Sequence, residues 1–311
     1  MQTVSSSNRK EAPIWVMDSG VGGISVLREA ARLMPDEQFV FFGDSVHAPY
    51  GTKTTEEVRE LTLEAVADAE KRYHPKAFVI ACNTATTAAV KVMRGLYPGR
   101  AIVGIEPALK PAADAGRRHI LVLATPLTIK EEKFRALLQR FSDGREVIPL
   151  GCPGLMEYAE SGQLDGPETD AFVADMIGEY VGKVDAVVLG CTHYPFLRGP
   201  IARALKLSDD AVYDGGYGTA KHIRFLLGET GLLRDDDAYE RAALNDAAGS
   251  AFYGASEAEV PGERMARSAC STVSGETLIT DAWLDNHVIF ENSLPGAAGA
   301  DRIALCRRLM K

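Results

Sequence analysis

Residues 77–90, AFVIACNTATTAAV, and residues 185–201, DAVVLGCTHYPFLRGPI, follow one plan. Each has an apolar run of strand length, a small residue, a cysteine, polar residues, and the start of a helix. Cys82 and Cys191 stand 109 positions apart (191 minus 82). Two such units predict two similar halves, each presenting one thiol beyond the carboxyl end of a buried strand. In open parallel sheets that end is where ligands bind.

The flanking sequence keeps the same rhythm. Apolar runs at Pro13–Met17, Gln38–Phe42, Ala77–Ala81 and Ala101–Ile105 read as strands. Helices are expected over Ile24–Met34, over Thr54–Tyr73 with a Thr/Glu-rich start suited to the helix dipole, and from about Thr86. The rhythm restarts with strands at His119–Ala124, Glu146–Pro149 and Ala186–Gly190. Helices are expected over Lys130–Arg140, Gly154–Ser161 and Glu168–Val181, and from Phe196. Strands separated by helices imply an α/β fold with mainly parallel sheets and right-handed crossovers. Beyond Gly231 the pattern weakens. Residues 230–250 read as helical, Leu278–Ile279 and His287–Phe290 as short strands, and DRIALCRRLMK as a short basic terminal helix.

Composition narrows the class of function. The chain has 311 residues, 46% hydrophobic and 25% charged, with a net charge of −9. That length suggests about two domains, and the acidic balance advertises neither nucleic acid nor a membrane surface. The five cysteines, Cys82, Cys152, Cys191, Cys270 and Cys306, form no C-x-x-C pair. This argues against a disulfide framework and a structural zinc site. The N-terminal segment lacks the apolar core of a secretory signal, and no run reaches the roughly 20 apolar residues of a membrane helix. A cytoplasmic protein is expected.

Opposed thiols suit one chemistry in particular. Inverting a stereocentre by proton transfer needs a base on one face of the carbon and an acid on the other, and a thiol serves as either. Its thiolate is favoured by a helix N-terminus or nearby donors. A carbanion beside an ammonium also needs oriented donors and exclusion of water. Asn83, Thr84 and Thr192 follow the cysteines directly, and Ser19 in DSGVGG and Tyr50 in HAPYG add donors from loops. Asp18 and His193 are placed to tune the thiols or hold an ammonium. A lone cysteine after a strand is ordinarily a small buried hydrophobe, and Cys152, Cys270 and Cys306 are read that way. For Cys82 and Cys191 the duplication and the polar neighbours outweigh that reading. His193 alone would be a structural histidine, and DSGVGG alone a turn.

Other chemistries fit less well. G-x-G-x-x-G would need a glycine where Ser25 stands, so a dinucleotide site fails. Cys82, Cys191 and His193 are possible zinc ligands by type but lack a dense ligand pair. A single-thiol nucleophile leaves the second strand–Cys–helix unit unexplained.

Five blocks, DSGVGG (18–23), GDSVHAPYG (43–51), ACNTATTAA (81–89), GIEPALKPA (104–112) and LGCTHYPFL (189–197), resemble the glutamate racemase family in content and order. The resemblance spans roughly residues 14–230. It implies two pseudo-symmetric α/β domains, residues 1–106 plus 214–311 and residues 107–213. It also implies cofactor-independent interconversion of L- and D-glutamate for peptidoglycan and the cell wall, and a homodimer. By the motif match, Cys82 acts on the D-enantiomer with help from Asp18, and Cys191 on the L-enantiomer with help from His193. Asp18, Ser19, Tyr50, Gly51, Asn83, Thr84, Thr192 and His193 would contact glutamate. Thr125 and Thr128 would hold its carboxylate, and Glu160 would lie near the thiols. No metal is implied. A racemase for aspartate or another acidic amino acid, and a non-catalytic relative acting through its tail, stand as alternatives. His47 departs from the basic residue frequent in the family. The chain beyond about Ala255 is longer than usual, with AFYGASEAEV a candidate relic of the last strand.

Overall fold

The computed structural model describes residues 9–234 and 279–311. Its first half runs β1 (Ile14–Asp18), α1 (Ile24–Leu33), β2 (Phe39–Gly43), α2 (Thr55–Tyr73), β3 (Ala77–Ile80), α3 (Asn83–Leu96), β4 (Ala101–Gly104) and α4 (Leu109–Asp114). There follow β5 (His119–Ala124), α5 (Pro126–Lys130), α6 (Glu132–Phe141), β6 (Glu146–Gly151), α7 (Leu155–Ser161), α8 (Pro167–Ile177) and β7 (Ala186–Leu189). The last elements are α9 (Arg198–Leu205), β8 (Val212–Asp214), α10 (Gly216–Glu229), α11 (Asp281–His287), β9 (Val288–Asn292) and α12 (Gly296–Met310).

The strands form two parallel sheets, ordered β4-β3-β1-β2-β9 and β6-β5-β7-β8. Both are covered on two faces, which is why their strands are unbroken apolar runs rather than alternating ones. The period of two still sorts the side chains. Ile14 and Val16 pack toward α1, α10 and α12, while Trp15 and Met17 pack toward α2 and α3. In the second sheet Leu121 and Leu123 face α8 and α9, and Ile120 and Val122 face α4 and α6.

This order positions the site. The first sheet reverses direction between β1 and β3, the second between β5 and β7. The crevice at such a switch point opens beyond the carboxyl ends of the strands. Asp18 ends β1 and Cys82 lies just past β3; Thr125 follows β5 and Cys191 lies just past β7.

Several local expectations shift. Thr54 caps α2 in a reciprocal capping box with Glu57, as its Thr/Glu-rich start implies. Helix α3 begins at Asn83, three residues before the expected Thr86, because Cys82 itself is the N-cap. The helix expected over Lys130–Arg140 is two, parted at Glu131, whose extended backbone breaks the run. The helix expected from Phe196 starts at Arg198 after a 3-10 turn over Tyr194–Leu197. Strand β8 and helices α4 and α10 escaped the sequence reading; β8 is only three residues long. Residues 230–234 are not helical.

Part of the C-terminal region is core material. Strand β9 extends the first sheet beside β2, and α12 buries Leu305, Cys306, Leu309 and Met310 against the same core as α1. The terminal helix is 15 residues long rather than short. Ile279, expected in a short strand with Leu278, is not in one, and the expectations for residues 235–250, for AFYGASEAEV, for Leu278 and for Cys270 lie outside the described residues.

Candidate active site

Cys82 has extended backbone (φ −90°, ψ 123°) and caps the start of α3, so its sulfur sits at the positive end of a 14-residue helix. Its thiol donates to Ser19 Oγ across 3.7 Å. Burial, and then the negative charge of Asp18, push this thiol up to about 12, against the opposing hydrogen bonds of the Ala85 amide and Ser19. Cys82 is therefore held as a thiol at neutral pH. Beside it, Asn83 is buried and its Oδ1 has no hydrogen-bond partner.

Donors gather around this position. Thr84 Oγ1 is 3.3 Å from Thr128 Oγ1, which is 2.9 Å from Thr125 Oγ1. The Thr125 hydroxyl also caps α5 by accepting from the Thr128 amide. A side chain at Gly51 would press on Thr125 at 2.9 Å, so a loop of the first sheet meets the start of α5 here. The Tyr50 hydroxyl donates to Asp44 at 2.7 Å, and His47 Nδ1 contacts the same carboxylate at 2.9 Å. A cleft of about 160 Å³ opens beside Asn83 and Thr128, with Glu106 and Lys133 on its far wall. Its lining includes Asn83, the residue after Cys82, but neither thiol.

Cys191 is arranged differently. Only a 3-10 turn follows it, and its sulfur lies 3.6 Å from His193 Nδ1. The other ring nitrogen, Nε2, is 2.7 Å from Glu160 Oε1. The closer contact of Nε2, to Glu160 rather than to the Gly22 amide at 3.2 Å, calls for the proton on Nε2, which leaves Nδ1 to accept from the Cys191 thiol, or to donate to its thiolate when the ring is charged. Burial opposes a charged ring. Hydrogen bonds with Cys191 and Glu160, and the charges of Cys191 and Asp18, nevertheless raise the His193 pKa well above its ordinary value. Burial likewise opposes the Glu160 anion, but hydrogen bonding and charge from His193 hold its pKa below the usual range, with help from the Val21 amide and Arg302.

The DSGVGG loop locks the two halves together. The Val21 amide donates to Glu160 Oε1 at 2.8 Å, and the Thr192 hydroxyl donates to Asp18 Oδ1 at 3.1 Å. Asp18 Oδ2 accepts from the Gly20 amide. The Ser25 hydroxyl lies 2.9 Å from the Gly22 carbonyl and 3.0 Å from the Thr192 carbonyl. A Cβ at Gly20 would collide with Glu160, and one at Gly22 with the His193 ring. These glycines serve close approach of backbone to catalytic-type side chains, not a phosphate.

All the expected residues converge here. Asp18, Ser19, Tyr50, Cys82, Asn83, Thr84, Thr128, Glu160, Cys191, Thr192 and His193 are buried, and Gly51 and Thr125 half-buried. Asp18 acts on Cys82 through charge, while the direct contact of the thiol is Ser19. Cys152 and Cys306 pack in hydrophobic cores, as read. Asp44, Ser25 and Arg302 were missed. Asp44 stood inside a quoted block and had a signal; Arg302 lies 142 residues from Glu160 and had none.

A family model described as Asp/Glu/Hydantoin racemase matches residues 17–222. A glutamate racemase of Clostridium botulinum is 44% identical over 232 residues, 74% of this chain and 89% of its own. The chain belongs to the Asp/Glu/hydantoin racemase family, among the glutamate racemases. The racemase architecture extends to solved structures. Escherichia coli glutamate racemase in complex with L-glutamate and the activator UDP-MurNAc-Ala is 30% identical, with a TM-score of 0.64 over 70% of this chain and 82% of its own. The Francisella tularensis glutamate racemase in complex with D-glutamate is 26% identical, with a TM-score of 0.63 over 73% and 84%.

Proposed function

We propose that the chain interconverts L- and D-glutamate by proton transfer between two thiols. The observation that carries this reading is the pair of buried cysteines, each just past a switch-point strand, each with its own proton partner. From the L-enantiomer, Cys191 as thiolate takes the Cα proton, and Cys82 as thiol delivers its proton to the opposite face. The enzyme is left with Cys191 as thiol and Cys82 as thiolate, which is the state that accepts the D-enantiomer.

The neighbouring groups fit these roles. The His193 imidazolium, held by Glu160, favours the Cys191 thiolate before abstraction. The α3 N-terminus and the Ser19 hydroxyl favour the Cys82 thiolate once its proton has gone. The unpartnered Asn83 Oδ1 suits a substrate ammonium, and the Thr84, Thr125, Thr128 and Thr192 hydroxyls suit its carboxylates. Asp18, tied to Thr192 and Gly20, adds the negative charge that opposes premature ionisation of Cys82. Tyr50 and Gly51 close the first-sheet side.

The same reading divides the chain into residues 1–106 plus 214–311 and residues 107–213, and makes it a cytoplasmic homodimer supplying D-glutamate for peptidoglycan. Among the described residues no helix is long and apolar enough to cross a membrane. The relatives' names and the two glutamate complexes favour glutamate over aspartate as substrate. The decisive experiment is optical rotation or chiral chromatography of L-glutamate and L-aspartate incubated with the purified protein. Racemisation of glutamate is expected, and turnover of aspartate alone overturns the assignment. Sedimentation velocity checks the dimer.

A further inference from the structure

Helix α12 brings one charged side chain to the racemisation site. Arg302 lies three and four positions before Leu305 and Cys306, on the face that α12 buries. Two basic residues near the end of the chain pair at the surface: Arg307 Nη2 with Asp285 at 2.6 Å, and the terminal Lys311 with Asp281 at 2.6 Å. Arg302 Nη1 instead meets Glu160 Oε2 at 3.0 Å and donates to the Glu160 carbonyl oxygen. That carbonyl belongs to the last turn of α7, where no amide of the helix follows to pair with it.

The two carboxylate oxygens of Glu160 thus face different parts of the protein. Oε1 takes the Val21 amide and His193 Nε2; Oε2 takes Arg302. A carboxylate held at both oxygens cannot turn away from the imidazole. The Glu160 side chain is 10% exposed and that of His193 1%, so water is a poor substitute for the guanidinium. The groups facing Glu160 are His193, Arg302 and the Val21 amide. Asp18 acts across the His193 ring at 3.9 Å, and the Cys306 thiol feels the Glu160 charge from α12.

We propose that Arg302 is a positioning residue for racemisation: it aims Glu160 at His193 and so sets the thiolate character of Cys191, coupling the C-terminal helix to one of the two thiols. The proposal rests on the two-thiol reading. It predicts an effect on the Cys191 side alone.

The test uses the full-length chain and its Arg302→Met, Arg302→Gln and Arg302→Lys variants. Iodoacetamide labelling of the substrate-free protein, resolved by peptide mass spectrometry, reads each cysteine separately. Arg302→Met should slow Cys191 labelling about tenfold. Cys82 labelling should hold, and Arg302→Lys should recover most of the loss. With glutamate, kcat should fall more than KM changes. The isotope effect on 2-deuterated L-glutamate should rise while that on 2-deuterated D-glutamate does not. Should Arg302→Met fail to fold, Arg302→Gln retains a donor for the carbonyl and removes the charge. Faster labelling of Cys82 and Cys306 together with Cys191 would mean simple loosening and would overturn the proposal, as would unchanged Cys191 labelling. Absence of glutamate turnover by the unmodified chain would instead count against the racemase reading, while the labelling still decides the role of Arg302.

Discussion

The two strand–Cys–helix units begin alike in sequence and end differently in space. Cys82 is the cap of a 14-residue helix and has a serine hydroxyl for a neighbour. Cys191 is followed by a 3-10 turn and has a chain of side chains, His193, Glu160 and Arg302. A helix N-terminus stabilises an anion passively and keeps no proton. An imidazole stores one. The surroundings of the two thiols are therefore asymmetric: burial and Asp18 hold Cys82 as a thiol, while the raised His193 pKa offers a cation to Cys191. Opposite protonation states of the two thiols are the starting condition of the two-thiol reaction proposed above.

The largest expected effect removes either member of the pair. Cys82→Ala and Cys191→Ala should each cost about 10³-fold or more in racemisation, near the upper range for a lost general acid or base. The residual chemistry should be one-sided. Cys191→Ala should exchange the Cα proton of D-glutamate with deuterated water, and Cys82→Ala that of L-glutamate, read by mass spectrometry. Near-normal racemisation by either variant refutes the pairing.

His193→Asn removes the feature that most separates the units. A loss of about 10²-fold in kcat is expected, with Cys191 left to act without its partner. Proton abstraction from L-glutamate then limits the rate, so a deuterium isotope effect should appear with 2-deuterated L-glutamate and not with the D-enantiomer. Equal effects on both would mean that His193 serves the two thiols alike.

The Cys82 side is tested by pH. A thiol held up to about 12 stays protonated through neutrality. Between pH 7 and 9 its alkylation should run at least about tenfold slower than that of an ordinary thiol near 8.5. Labelling of Cys82 at the rate of a free thiol would remove the asymmetry.

The smallest effect is on stability. The folded-state pKa of His193 is raised, so its stabilising contribution is complete below about 6.5 and is lost as pH rises through the folded value. Glu160 is depressed, so its contribution is present above the ordinary carboxylate range and is lost as pH falls through its folded value. The Tm gap between the protein and His193→Asn should therefore be wider at pH 6 than at pH 9, by the order of 2 °C. A gap that widens with pH would contradict the ion pair.

Much of this was legible in one dimension because parallel strands buried on both faces are continuous apolar runs. The runs at β1, β3, β5 and β7, with polar residues just past their ends, mark both the sheets and the candidate site. The short β8, buried at one end only, lacks that signature, and the Glu131 break follows from backbone geometry that composition does not encode. Local order thus determined the parallel α/β class, the two thiols and their attached donors, since each depends on residues a few positions apart. Only the tertiary structure decided that Asp18 meets Thr192, that Glu160 reaches His193, that Gly20 and Gly22 admit those side chains, and that Arg302 arrives from the far end of the chain. Those contacts join residues separated by 33 to 174 positions. They exist because the two sheets and the terminal helix bury their apolar faces together, and the polar groups trapped at the junction must then satisfy one another.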